Sequence, residues 1–169
     1  TFLSFKAGRA QGHYHNDDLV PHLYLDGRPV ALDYNCSYHP RGDHAALHGS
    51  ATFGRTGSVR HNGRNEEVEA MEQAGGRARR IAFATSEAAD VFAAERTADS
   101  LTLSPVFPED AEFSRPYPSR KVSPIRHRRW LMLVKPSKGS KMPAFVVVRD
   151  EFAGQEPVQL NLHLLAREI

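Results

Sequence analysis

Nine short runs of alternating or β-branched character, separated by turn chemistry, recur along this 169-residue chain, and they leave little room for anything but strands. They fall at Thr1–Lys6, Leu19–Asp26, Pro29–Tyr34, Glu66–Glu72, Arg77–Thr85, Leu101–Phe107, Arg129–Val134, Ala144–Arg149 and Val158–Leu165. Asp26-Gly27-Arg28-Pro29 and Gly75-Gly76 punctuate them as turns. Strands of this length and spacing bury one face each by stacking, so the expectation is an all-β, antiparallel β-sandwich. Ser86 to Ala98 is alanine-rich, with Ser86 placed as a helix cap, yet Ala-Asp-Val-Phe-Ala-Ala-Glu-Arg-Thr also reads as a strand, and strand is the reading taken. Ser104 to Pro124, rich in proline, is expected to be a surface loop.

The length suits one domain over 1–169, and an apolar share of 40% argues against disorder. Lys plus Arg number 22 against 20 Asp plus Glu, too even for a chain whose whole surface courts nucleic acid. No run approaches the roughly 18 apolar residues of a membrane-spanning helix. Thr1 is read as a start within a longer sequence or after processing, and Val158–Leu165 as a strand with further sandwich strands missing beyond it. Cys36 is alone, which excludes a disulfide framework and a cysteine-based zinc knuckle.

Seven of the nine histidines lie between His13 and His61. In Gly12-His13-Tyr14-His15-Asn16-Asp17, a strand would put both imidazoles on one face and Tyr14 on the other. Two donors could then reach one cation. Asp33 follows the apolar Val30-Ala31-Leu32, where an acid needs a charged partner, and His61 offers a donor from a loop. The plainer reading of the pair is two hydrogen-bonded, partly buried histidines, and spacing alone leaves both open. His22, His39, His44 and His48 are expected at the surface or in loops, with Tyr38-His39-Pro40-Arg41-Gly42-Asp43-His44 near a substrate groove.

Three blocks in order, Gly12–Asp17, Leu23–Asp33 and Arg60-His61-Asn62, resemble the C-terminal β-sandwich domain of the heparinase II/III-like polysaccharide lyases, the alginate and heparin lyase group. Arg126–Val134 and Phe145–Asp150 look like that domain's paired strands, so the similarity spans nearly the whole chain. The resemblance implies that His15, Asp33 and His61 bind a zinc ion of structural role, and that His13 faces the catalytic cleft. It implies a preceding α/α toroid domain, absent from this sequence, which would carry the catalytic tyrosine and leave this piece inactive alone. It also implies an anionic, uronate-containing polysaccharide as partner and a secreted or periplasmic location. Asp18-Leu19-Val20-Pro21-His22 departs from the family's usual small-residue and Ser-Phe pattern, which puts subfamily and substrate in doubt.

Such a lyase removes the proton alpha to a uronate carboxylate and expels the glycosidic oxygen, so donors must neutralise the developing charge, a task suited to His13. Arg55, Arg60 and Arg64, which flank His61, are expected to pair with a carboxylate or sulfate, with Tyr38 near the same groove. Arg120, Lys121, Arg126, Arg128, Arg129, Lys135, Lys138 and Lys141 are read as a solvated strand edge rather than a polyanion surface. The competing functional class is a non-catalytic carbohydrate-binding or scaffold module. A cupin-like metalloenzyme fits less well, because no Glu follows His15 at the needed distance.

Overall fold

The structure is a computed structural model that describes residues 1–8, 18–25, 27–32, 44–60, 67–75, 77–106 and 117–164, with Arg60 by its backbone only. His13, His15, Asp33, Tyr38 and His61 lie outside the described residues.

The chain is all-β and antiparallel. β1 (Phe2–Phe5), β2 (Pro21–Leu25) and β3 (Arg28–Ala31) form a three-stranded sheet in that order. A short 3-10 turn (Ala45–Leu47) leads to β4 (Ala51–Phe53), which pairs with β11 (Val158–Leu160). The large sheet contains β5 (Thr56–Arg60), β6 (Glu67–Ala74), β7 (Ala78–Thr85), β8 (Ala89–Pro105), β9 (Ser119–Val134) and β10 (Phe145–Ala153). Its order is β10-β9-β8-β6-β5, and β7 pairs with the first half of β8 while β6 pairs with the second. It curls as a half-barrel, as in a β-sandwich.

Burial alternates along β9: Ile125, His127, Arg129, Leu131 and Leu133 are buried, whereas Arg126 and Met132 are exposed. The period of two puts the first set on the inner face. There, Phe53, Ala51, Ala74, Leu101 and Ile125 make one apolar cluster, and Leu19, Ala78 and Ala94 make a second with Phe5 and Ala7 beside it.

The alanine-rich segment is a strand, as read. Ser86, the would-be helix cap, instead makes the β7–β8 turn: its amide donates to the Ala89 carbonyl (2.9 Å) and its hydroxyl accepts from the Ala89 amide (3.0 Å). Ladders on both sides of β8 outweigh helix propensity there. The expected loop from Ser104 to Pro124 requires correction, since β8 runs to Pro105 and β9 already begins at Ser119. Pro124 is tolerated within the strand because the β8–β9 register shifts between Ala98 and Ser100, which face Ile125 and Lys121 respectively. Three β9 residues thus oppose one β8 residue, a bulge in which a missing amide donor costs little. β4 and β5, which no expected run covered, are short and flank Gly54.

Candidate functional site

The excursion carrying His13 and His15 joins β1 to β2, and its two roots are described. Leu19 donates its amide to the Lys6 carbonyl (3.0 Å) and Lys6 donates back to Val20 (3.4 Å), extending the β1–β2 pairing beyond Phe5 and Pro21. Ala31 of β3 stands opposite Leu23 and runs antiparallel to β2, so the chain leaves for Asp33 from the same end of this sheet. Both sequence-predicted segments therefore depart from one edge of the fold.

That edge rests on a buried polar base. Asp18, almost wholly buried, accepts the Ala78 amide on its carboxylate (3.1 Å), while its carbonyl accepts the Ser50 hydroxyl (2.8 Å). Arg129, on the inner face of β9, donates to the Leu19 carbonyl (2.8 Å) and to the Gly49 carbonyl. Its guanidinium forks onto Asp150 of β10, with Nε at 2.8 Å and Nη2 at 3.1 Å. His127 Nε2 donates to the same carboxylate (2.7 Å), and its ring stacks on Phe152 at 4.7 Å. Burial pushes the Asp150 carboxyl up, but the hydrogen bonds from His127 and Arg129 outweigh it and hold the group below the usual range. Burial, with Arg129 and Arg96 nearby, lowers the His127 pKa against the opposing pull of Asp150.

His44 and His48 flank the 3-10 turn in connecting chain, in keeping with the expected surface or loop position, but both are buried, which corrects the surface part of that expectation. His44 caps the 3-10 turn: Nδ1 accepts the Ala46 amide (3.0 Å), so Nε2 carries the proton donated to the Met71 carbonyl (3.1 Å). Gln73 accepts the Ala45 amide (2.9 Å) and donates to Ser104 (2.7 Å), tying the turn to β6 and β8. His48 is fully enclosed beside Gly49, itself packed on Val20 and Pro21. The apolar Ala45-Ala46-Leu47 between the two histidines and the small Gly49-Ser50 after them are compatible with this burial, but nothing in them separates a buried histidine from an exposed one. His22 is half-buried, and His39 lies outside the described residues.

Arg55 is exposed and its amide donates to Glu72 (2.8 Å). Arg60 ends β5 opposite Glu67, whereas Thr56 at the other end of β5 faces Met71. Four residues of strand, roughly 13 Å, separate the Arg60 end from the Met71 position on which His44 sits. Arg129 is not part of a solvated edge: it is 1% exposed and committed to Asp150.

Among the described residues no three His, Cys, Asp or Glu side chains converge so as to hold a metal. No helix of the described residues is long and apolar enough to cross a membrane. No family profile, curated protein or solved structure matches the chain.

Proposed function

We propose that this chain is the β-sandwich part of a lyase that cleaves a uronic-acid-containing polysaccharide by β-elimination. The observation that carries the reading is the common departure of the His13–His15 segment and the Asp33 segment from one end of the β1–β2–β3 sheet. The buried base of Asp18, Arg129 and Asp150 beneath that end gives the His13–His15 segment a fixed root at Asp18 and Leu19, as a preorganised site needs.

In this reading His13 donates to the uronate carboxylate, so that the electron pair left when the alpha proton departs is spread onto neutralised oxygens while the glycosidic oxygen leaves. The base belongs to the toroid domain, and this chain alone releases no unsaturated product. Imidazole nitrogens of His15 and His61 with the Asp33 carboxylate make a donor set suited to zinc, which would act by holding the segments together. Arg55, Arg60 and Tyr38 would hold the substrate near His13.

The test is metal content. Purified and dialysed protein is expected to hold about one zinc per chain, a stoichiometry set by one three-donor site, and His15→Ala is expected to lose it. A metal-free wild-type protein, or an unchanged zinc content in the variant, would sink the assignment.

A further inference from the structure

From Ser119 to Arg149 the chain contains nine Lys and Arg residues and not one Asp or Glu. The fold distributes these cations unequally. Arg129 turns inward to Asp150, Arg120 forks between Glu72 and Glu156, and Lys121 and Lys135 pair with Asp99 and Asp90. The others gather on the outer face of the large sheet or in the β9–β10 connection.

The outer face is ordered in rows by the strand register. One row runs Arg79, Glu95, Arg128, Glu151 across β7, β8, β9 and β10. Glu95 takes Arg79 at 2.9 Å and Arg128 at 2.6 Å, with Arg126 at 4.0 Å, and Glu151 takes Arg149 at 3.1 Å. Four guanidiniums thus share two carboxylates, and Arg79 and Arg149 remain more than two-thirds exposed. The next row is Ala82, Ala93, Trp130 and Arg149, in which the half-buried indole has Ala93 on one side and Arg149 on the other. Beyond it come Met132 with Val147, then Val134 with Phe145; Met132, Val147 and Phe145 are exposed. The connection after this end carries Lys138 and Lys141, exposed and without ion-pair partners among the described residues.

We propose that this outer face is a binding surface for an extended anionic polysaccharide, separate from the His13 edge. From Phe145 to Ala153 it measures about 27 Å along β10, enough for several sugars. Cations stand at both ends and an apolar strip lies between them. A pyranose lays its C–H face on such a strip, with Trp130 as the broadest plane, while its carboxylates reach Arg126, Arg149, Lys138 and Lys141. A second copy of the chain is disfavoured, because it would bring the same cation excess face to face. Single-stranded nucleic acid fits less well, since successive bases need successive aromatic planes and the strip is mostly aliphatic. The proposal takes its ligand class from the lyase reading, but binding here requires neither zinc nor catalysis.

The experiment titrates the 169-residue chain with an alginate oligosaccharide, with a neutral glucan and single-stranded DNA as comparison probes. Wild type is expected to bind the alginate with an affinity that falls steeply with salt and to ignore the glucan. Trp130→Ala and the pair Arg126→Ala with Arg149→Ala should each weaken binding at least tenfold, about 1.4 kcal/mol. Lys138→Ala with Lys141→Ala, in an exposed connection where misfolding is no concern, should weaken it several-fold at an unchanged thermal midpoint. No alginate binding, equal binding by the surface variants, tighter binding of DNA at the same residues, or self-association abolished by Trp130→Ala would each overturn the proposal. Zinc content separates the two readings: binding retained by a zinc-free protein upholds the surface while removing the lyase assignment, and zinc without alginate binding does the reverse.

Discussion

Arg129 donates to the carbonyl of Leu19, the one described non-glycine residue in the left-handed backbone region, with φ of 67°. That conformation costs an L residue roughly 1–2 kcal/mol, and here it is held by a guanidinium 110 residues away that also grips Asp150 and the Gly49 carbonyl. The root of the His13 segment is therefore held from β9 as well as by its pairing with Lys6 and the Asp18 bonds to Ala78 and Ser50.

Arg129→Met is expected to destabilise the protein by about 3–5 kcal/mol, because it leaves the Asp150 carboxylate buried without its main partner. Combining it with Asp150→Leu should recover a large part of that loss. Denaturant unfolding of both singles and the double variant checks this; strict additivity would show that the pair is not coupled.

Acid should act first through His127. Its folded pKa lies below the ordinary 6.5, so the unfolded chain binds this proton more readily and stability falls as pH drops below about 6.5. Asp150 adds a second loss: its folded pKa lies below 3.8, so its contribution is complete above that value and disappears as pH falls through the folded pKa. Thermal midpoints of wild type and His127→Phe between pH 7.5 and 5 test the first step. An equal slope in both proteins would remove His127 as its cause.

Gly54 has φ of +96°, and a Cβ there would meet the Glu72 carboxylate and come within 2.7 Å of Leu101. Glu72 is meanwhile engaged by Arg120 and by the Arg55 amide, the Arg120 hydrogen bond being the main reason its carboxyl lies below the usual range. Gly54→Ala should cost at least about 2 kcal/mol, from backbone strain and the displaced carboxylate together. Urea midpoints measure it directly, and a change below half a kcal/mol would show that the site relaxes freely.

On the proposed lyase reading, His13→Ala and His15→Ala should fail differently in a protein that includes the proposed toroid domain. His15→Ala is expected to lower zinc content and melting temperature, since metal affinity for the folded state is folding free energy. His13→Ala should keep both and lose elimination rate by roughly a hundredfold or more, the scale of one oxyanion-type donor. Loss of metal in the His13 variant would overturn its assigned role.

The period-two pattern by itself determined that the chain is all-β, and it located most strands, because alternation reports directly which residues face a core. The ambiguous Ala89–Thr97 stretch carries no such alternation, since Ala93 to Arg96 are buried in succession between two partner strands. Local pattern did not reveal that Pro124 sits in a bulge, that His44 and His48 are buried, or that the basic run from Arg120 to Lys141 divides between the inward Arg129–Asp150 pair and cations on the outer face and in the β9–β10 connection. Those outcomes depend on partners far along the chain, Asp99 opposite the bulge, Met71 over His44, Asp150 against Arg129. A sequence window registers each residue's own preference, whereas burial and pairing are decided by which strand the sheet places beside it, and only the assembled tertiary structure contains that information.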